Sequence, residues 1–483
     1  MAEVVVVGAG VGGLACAARL AAAGHRVTVL ERSTVVGGKL GRRVVERPEG
    51  TYRFDTGPSL LTLPQVFDEL FADLGGQAPR LVPLNPVVRH VFADGAVLDS
   101  CADPAEFAER IDASLGPAAA ADWRQLWRRA GRVWDASWRD ILRRPVDSPA
   151  ALAGLAWRLG DLAAVAPGRS LRGLGRQRLR DPRLRMLLDR YATYAGADPR
   201  RAPAALVAVP YAELSFGGWY LPGGLGTLAE ALLERCVALG VSVRTGAAVT
   251  GIATAGGRVT GVRVDGSFVP ADVVVSNVDA LSLYRDLLPT PRRLARLADR
   301  SLAGFVLLLG VAGRTPGLAH HTVFFPPRDY DAEFDAVFGG RLAPNPAVFV
   351  TVADDPAVRP DGHEAWFVLV NAPRHGVGRG AVDWNRPGLA PAYADRVLAV
   401  LAARGLDVRD RVLFREVLTP ASLESSAAAP GGAIYGTAGG LLRPANRGPV
   451  DGLFLVGGST HPGGGLPMVA LSARIVADQI GPA

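Results

Sequence analysis

The first 31 residues constrain this chain more than any other stretch. Val4-Val5-Val6-Val7 is an unbroken apolar, β-branched run, the pattern of a strand buried on both faces of a parallel sheet. It runs into Gly8-Ala9-Gly10-Val11-Gly12-Gly13, which places G-x-G-x-x-G at Gly8, Gly10 and Gly13. An alanine-rich helix is predicted over Leu14 to Ala23, stopping at Gly24, and a second strand, Arg26 to Leu30, ends at Glu31. Each part has a physical reason. Gly8 permits the tight turn, Gly10 lets the backbone approach a pyrophosphate, and Gly13 allows close packing of helix on strand. The helix N-terminus aims free N–H groups and its positive dipole end at phosphates. Glu31 follows Gly13 by 18 residues, where a carboxylate reaches the ribose hydroxyls of an adenosine. Because strand, loop, helix, second strand and acid occur in order, the pattern predicts dinucleotide binding and not merely a glycine-rich turn.

The chain has 483 residues, enough for roughly three domains or subdomains. Charged residues make up 20% and mean hydropathy is +0.19, which argues against a disordered or collagen-like chain. Lys39 is the single lysine among 53 basic residues, a bias from which no function is drawn. Cys16, Cys101 and Cys236 are widely spaced, odd in number and free of C-x-x-C spacing. They predict buried thiols in a reducing compartment, neither a disulfide framework nor a zinc knot. The N-terminus enters the first strand without a basic or apolar leader, so no secretory signal is expected. The uncharged run Ser301 to Gly313 is too short to span a bilayer, and glycine and proline break Ser425–Leu442 and Gly452–Ala473.

The net charge of +7 is concentrated between Trp123 and Arg185, where 15 arginines face five acids. The same stretch holds Trp123, Trp127, Trp134, Trp138 and Trp157. On a helix the first four lie within about 60° of one another, with Arg128, Arg132 and Arg139 on the far face. Two readings are open: indoles entering a bilayer interface with arginines on anionic headgroups, or indoles in the core with arginines in water. Nucleic acid is not expected as a partner, because the aromatics face away from the arginines.

Beyond Glu31 come Gly37-Gly38-Lys39 and Phe54-Asp55-Thr56-Gly57-Pro58. Residues Val4 to Pro64 resemble flavoproteins of the glutathione-reductase-like amine oxidase and phytoene desaturase group. The resemblance implies an FAD whose pyrophosphate and ribityl region lie on Gly37, Gly38 and Lys39, with Asp55 and Gly57 leading toward the flavin ring. The chain is most similar to the carotenoid (phytoene) desaturase family, through three further stretches. Tyr191–Thr227 keeps Pro203, Pro210-Tyr211 and Pro222-Gly223-Gly224 in order. The next is Leu318-Ala319-His320-His321-Thr322 with Phe324-Phe325, followed by Gly362-His363-Glu364. The last is Leu455-Val456-Gly457-Gly458-Ser459-Thr460-His461-Pro462-Gly463-Gly464-Gly465-Leu466-Pro467. There the resemblance implies a flavin contact at Gly457 and Gly458, with Ser459 where many such proteins carry an acid. It also implies an adenine contact by the Val249 backbone, although the strands around Val249 equally suit a plain β-meander. Pro467-Met468 looks more like relatives acting on already desaturated, hydroxylated or shorter carotenoids, and Gly431–Leu442 departs from the usual pattern.

Seven histidines are present, none in a metal-ligand spacing, and no nucleophile elbow occurs. His320-His321, if on a strand, would point to opposite faces and could not share a metal. His461, beside the closing glycines, is the one catalytic candidate. The resemblance implies an α/β chain with a discontinuous Rossmann-like FAD-binding domain (1–80, 221–285, 445–483). A mixed-sheet substrate domain (81–115, 286–444) and a helical, membrane-facing subdomain (116–220) complete it. It implies an FAD-dependent oxidoreductase that desaturates a carotenoid or related isoprenoid polyene by hydride transfer to flavin. Such an enzyme would sit peripherally on the cytoplasmic membrane's inner face, bound through 123–185. Other readings are a carotenoid cis–trans isomerase, a flavin amine oxidase, and a flavin-free prenyl-protein escort or GDP-dissociation-inhibitor-like binding protein.

Overall fold

The computed structural model describes residues 1–147, 159–297, 300–327, 330–437 and 443–483. Two sheets and a helical layer organise them. The first sheet has five parallel strands in the order Leu453–Leu455, Val273–Ser276, Glu3–Val7, Arg26–Leu30, Ser242–Arg244. The valine run is its centre, and Val4 to Val7 are all buried, as a two-sided parallel strand requires. On one face the helix Val11–Ala22 packs against Leu466–Ile480, the end of the chain against its beginning. On the other, Val5, Val7 and Leu30 meet Ile252, Val262 and Val264 of an antiparallel meander, Val249–Ala255, Arg258–Val264 and Ser267–Pro270.

The second sheet has seven strands and is mixed. Its order is Val412–Leu418, Ala303–Ala312, His363–Ala372, Val348–Val352, His321–Phe324, Arg89–Val91, Val97–Asp99. Only the pairing of His321–Phe324 with Arg89–Val91 is parallel. The uncharged run after Ser301 is the strand Ala303–Ala312, covered on both sides. Phe305, Leu307 and Leu309 pack under the helix Leu389–Ala403. Val306 and Leu308 meet Val45, Tyr52 and Phe54 of the hairpin Arg42–Arg47/Gly50–Asp55. Thus the chain leaving the glycine loop packs directly onto the second sheet.

The helical layer comprises chiefly Pro104–Leu115, Pro117–Ser137, Leu171–Arg178, Pro182–Thr193 and Ala208–Phe216. The helix Pro117–Ser137 carries three of the tryptophans, and their face is turned into the protein. Trp123 (1% exposed) meets Phe107 edge-on at 5.4 Å. Trp127 lies 5.0 Å from Tyr211, and Trp134 lies 5.4 Å from Phe216 and 5.2 Å from Trp138. Against the expectation of indoles entering a bilayer, Trp123 and Trp134 are buried and Trp127 and Trp138 half-buried among neighbouring side chains. The opposite face exposes Arg124, Arg128 and Arg132 at one-turn spacing. Trp157 lies outside the described residues. Among the described residues no helix is long and apolar enough to cross a membrane.

Candidate functional site

The glycine loop joins the strand Glu3–Val7 to the helix Val11–Ala22. A Cβ at Gly13 would stand 2.1 Å from the Gly8 carbonyl oxygen, so only glycine lets the helix start this close to the strand. Gly10 caps the helix without a side-chain hydrogen bond, and the first intrahelical bond runs from Leu14 N–H to Gly10 O. The N–H groups of the first turn are therefore unspent by any cap. Glu31 ends the neighbouring strand, and its carboxylate accepts the Ala9 N–H at 2.7 Å and the Ser33 N–H at 2.8 Å. That fixes the acid against the loop while leaving further lone pairs. The meander approaches the same point: Ala247 N–H donates to Glu31 O at 2.8 Å, and Val249 begins the next strand, opposite Val264.

The second glycine pair closes over the first. Gly37 N–H donates to Ala9 O at 2.9 Å, and Gly38 stands so near Gly10 that a Cβ there would lie 3.2 Å from the Gly10 Cα. A third wall comes from the far end of the chain, since a Cβ at Gly12 would lie 3.2 Å from the Gly457 Cα. Residues 8–13, 37–38 and 457–458 thus form one glycine-lined cradle, with Glu31 at one end and a helix N-terminus within it. This arrangement fits the FAD that the motifs imply. Sequence reading missed Asn277, whose side chain fills the space beside Gly10 and Gly457. Its place directly after the strand Val273–Ser276, next to the glycine loop's strand, was the available signal.

Other motif residues act as fasteners around the cradle. The half-buried Asp55 carboxylate accepts the N–H groups of Leu225 (2.7 Å) and Gly226 (2.8 Å), at the start of the helix Thr227–Ala238. Burial raises its pKa against the pull of those bonds. Gly57 passes the Lys39 carbonyl so closely that a Cβ would meet it at 1.9 Å. The Lys39 side chain runs inward and donates to the carbonyls of Ala433 (3.0 Å) and Ile434 (2.7 Å). Burial pushes its amine down to about 8; Asp279 opposes that shift, while Arg300 and Arg443 add to it. Arg300 and Asp279 form a 2.8 Å ion pair with both side chains 4% exposed.

In the closing segment Gly457 N–H donates to Ser472 Oγ at 3.2 Å, and Ser459 Oγ accepts the Ala280 N–H at 3.0 Å. Buried Asn446, also missed, has its Nδ2 within reach of Leu455 O (3.1 Å), His461 O (2.9 Å) and Ser472 Oγ (3.1 Å), which share its two hydrogens. His461 is 2% exposed, and its Nε2 faces the carbonyls of Ile141 (3.0 Å) and Arg144 (2.8 Å). Two acceptors there require Nε2–H as donor, so this nitrogen anchors the arginine-rich segment to the closing loop.

The His320-His321 pair does not split across a sheet, because the strand begins only at His321. The rings lie 4.6 Å apart, with Tyr220 4.7 Å from His320 and His321 Nε2 3.0 Å from Ser59 O. His320 borders a cavity of about 40 Å³ lined by Asp55, Ser59, Tyr220, Thr351 and Phe367. Among the described residues no His, Cys, Asp and Glu are grouped to hold a metal. All three cysteines are buried and free.

Known proteins bear on this site. The chain is 34% identical to a 4,4'-diapolycopene oxygenase of Methylomonas sp, covering 99% of this chain and 98% of the relative. It is 34% identical to a phytoene dehydrogenase of Streptomyces griseus (99% and 95% covered). It is 36% identical to a hydroxyneurosporene desaturase of Cereibacter sphaeroides (99% and 97% covered). The fold is shared with solved structures at low identity. An oxidoreductase from Methanosarcina mazei has a TM-score of 0.65 at 17% identity, covering 99% of this chain and 100% of that one. Cyclohexylamine oxidase from Brevibacterium oxydans has a TM-score of 0.60 at 17% identity, with 99% of each chain covered. With residues 11–481 matching the family described as flavin containing amine oxidoreductase, and with relatives alike over nearly their whole length, this chain belongs to that family.

Proposed function

We propose that the chain is an FAD-dependent oxidoreductase that desaturates a carotenoid or related long isoprenoid polyene. The observation that carries this reading is the full-length similarity, 34–36% identical, to enzymes named for carotenoid desaturation and oxygenation. Gly8, Gly10, Gly13, Gly37, Gly38, Gly457 and Gly458 would hold the FAD. Glu31 would take the adenosine ribose, the Val249 backbone the adenine, and Lys39, Asp55 and Gly57 would fix the loop nearest the flavin. When bound, FAD supplies the hydride acceptor, so the side chains need only orient an apolar substrate and keep water out. No poised side-chain base is required, since positive charge on a polyene is delocalised, and His461 serves as an anchor in this reading. The FAD-binding part is assigned to 1–80, 221–285 and 445–483, the substrate part to 81–115 and 286–444, and the helical part to 116–220.

A water-insoluble substrate comes from a bilayer, so the chain is proposed to work peripherally on the inner face of the cytoplasmic membrane. The exposed arginines support this, not the indoles. Burial lowers the pKa of Arg129, and Arg178, Arg169 and Arg132 add to that shift, a concentration of like charge that anionic headgroups would relieve.

The test is turnover by purified protein with FAD and liposomes, offered phytoene, diapophytoene and neurosporene. New absorption bands at longer wavelength, with loss of two hydrogens by mass, are expected. Mass-neutral products would make it an isomerase. Bound flavin without polyene turnover would favour an amine substrate, and a colourless protein a binding role.

A further inference from the structure

Residues 433–437 lie in the segment whose sequence departs from the usual pattern, and cations converge on their carbonyls. Lys39 Nζ donates to Ala433 O (3.0 Å) and Ile434 O (2.7 Å), and Arg443 Nη1 to Tyr435 O (2.6 Å) and Thr437 O (2.5 Å). Arg300 pairs with Thr437 through the backbone, and its Nη2 donates to Asp279 Oδ2 at 2.8 Å. Arg300 is 5% exposed, yet its Nε and Nη1 have no partner. Lys39 and Arg443 are half-buried. Burial lowers the pKa values of both; Asp279 opposes that shift and Arg300 adds to it, so the four groups share one field.

Among the described residues Asp279 is the one carboxylate that the three cations share, which leaves a surplus of positive charge. Ser459, where many flavoproteins of this fold carry an acid, adds no second carboxylate. Surplus charge away from water is costly and favours an anion beside it. The cluster stands directly behind the closing loop. A Cβ at Gly436 would lie 2.8 Å from Ser459 Cβ and 3.6 Å from Asp279 Oδ2. A Cβ at Gly464 would lie 2.4 Å from the Tyr435 ring, and one at Gly463 3.8 Å from Arg443 Nε. The helix Leu466–Ile480 starts beyond Gly465 without a side-chain cap and adds its positive end to the same place.

FAD presents two sites of negative charge. Its diphosphate is charged in both redox states and is served by the glycine loop and the helix Val11–Ala22. The other site exists only after reduction: a hydride taken up at N5 brings two electrons and one proton, leaving one negative charge on the ring's pyrimidine edge. A cation beside the diphosphate tightens both states alike, whereas one beside the ring favours the reduced state. The loop backed by the cluster is the one assigned to the flavin.

We propose that Lys39, Arg300 and Arg443 form a cationic wall behind the flavin that holds reduced FAD more tightly than oxidised FAD, making the cofactor a stronger hydride acceptor. This rests on the flavin assignment and not on the identity of the polyene. The experiment uses FAD-loaded protein and two readouts besides turnover. One is the midpoint potential, by reductive titration against reference dyes. The other is the affinity for sulfite, which adds to N5 and leaves the same charge on the ring. Arg443→Met and Lys39→Met are each expected to weaken sulfite binding about tenfold. The preference for reduced over oxidised FAD is expected to fall by the same factor, about 30 mV for a two-electron couple. Arg443→Lys and Lys39→Arg keep the charge and are expected to restore most of both. Unchanged potential and sulfite affinity in the two methionine variants overturn the inference, as does an equal shift in the charge-keeping variants. Weaker FAD binding at an unchanged potential also overturns it and gives the cluster to the diphosphate. A wild-type protein that stays colourless with added FAD overturns the flavoenzyme reading and the inference with it. The expected shifts without turnover of any polyene uphold the inference and overturn only the desaturase reading.

Discussion

Replacing Trp123 by alanine removes an indole that is 1% exposed and packed edge-on against Phe107 at 5.4 Å. A buried indole withdraws about 200 Å² from water. At about 25 cal/mol per Å² that is about 5 kcal/mol. The figure is an upper estimate, because the unfolded chain hides part of that area. Large-to-small aromatic changes in cores cost about 3–5 kcal/mol, a large share of the 5–15 kcal/mol typical of a folded domain. Trp123→Ala should therefore lower the urea midpoint sharply, read by near-ultraviolet circular dichroism, with Trp123→Phe costing much less. The opposite face gives the contrast. Arg128→Gln with Arg132→Gln should change stability by no more than about 0.5 kcal/mol each. At about 1 kcal/mol per arginine near an anionic surface, the pair should weaken binding to phosphatidylserine vesicles on the order of 30-fold at low salt. The packing argument is refuted if Trp123→Ala keeps its urea midpoint and instead loses vesicle binding, for then the indole faces lipid.

Three further outcomes follow from the geometry. Gly13→Ala puts a methyl 2.1 Å from the Gly8 carbonyl and should purify with little FAD, read as the ratio of absorbance at 450 and 280 nm. A flavin content equal to wild type would count against the cradle. Asp279→Ala strips the buried partner from Arg300, near Lys39 and Arg443, and should cost about 3–5 kcal/mol in urea unfolding. Acid should destabilise the fold through its buried histidines. Burial lowers the pKa values of His90, His321 and His461, and that of His320 to about 4, all below the ordinary imidazole value. The folded state then binds fewer protons than the unfolded one. The stability is fully present above the unfolded pKa and is lost as pH falls toward the folded values, by about 1.4 kcal/mol per unit for each histidine still neutral. The urea midpoint should fall from pH 6.5 to 5, and His90→Phe should flatten that slope.

The cradle was legible in sequence because its parts are local. The glycine spacing, the strand before it and Glu31 after the second strand answer to backbone geometry within 31 residues, and Gly13 still has to clear Gly8 in the folded chain. The helix Pro117–Ser137 was legible only in part. A 3.6-residue period states that tryptophans and arginines lie on opposite faces, but not what covers the indoles. Phe107, Tyr211 and Phe216, which do, come from two other helices. His320 and His321 escaped the two-residue alternation of strands because the strand starts between them. The meeting of Gly12 with Gly457, the four carbonyls gathered by Asn446 and His461, and the convergence of Lys39, Arg300 and Arg443 follow no spacing rule. Sequence by itself determined the segments whose chemistry depends on neighbours along the chain. Tertiary structure alone decided which distant groups were stripped of water together, since desolvation is a property of packing and is carried by no short motif.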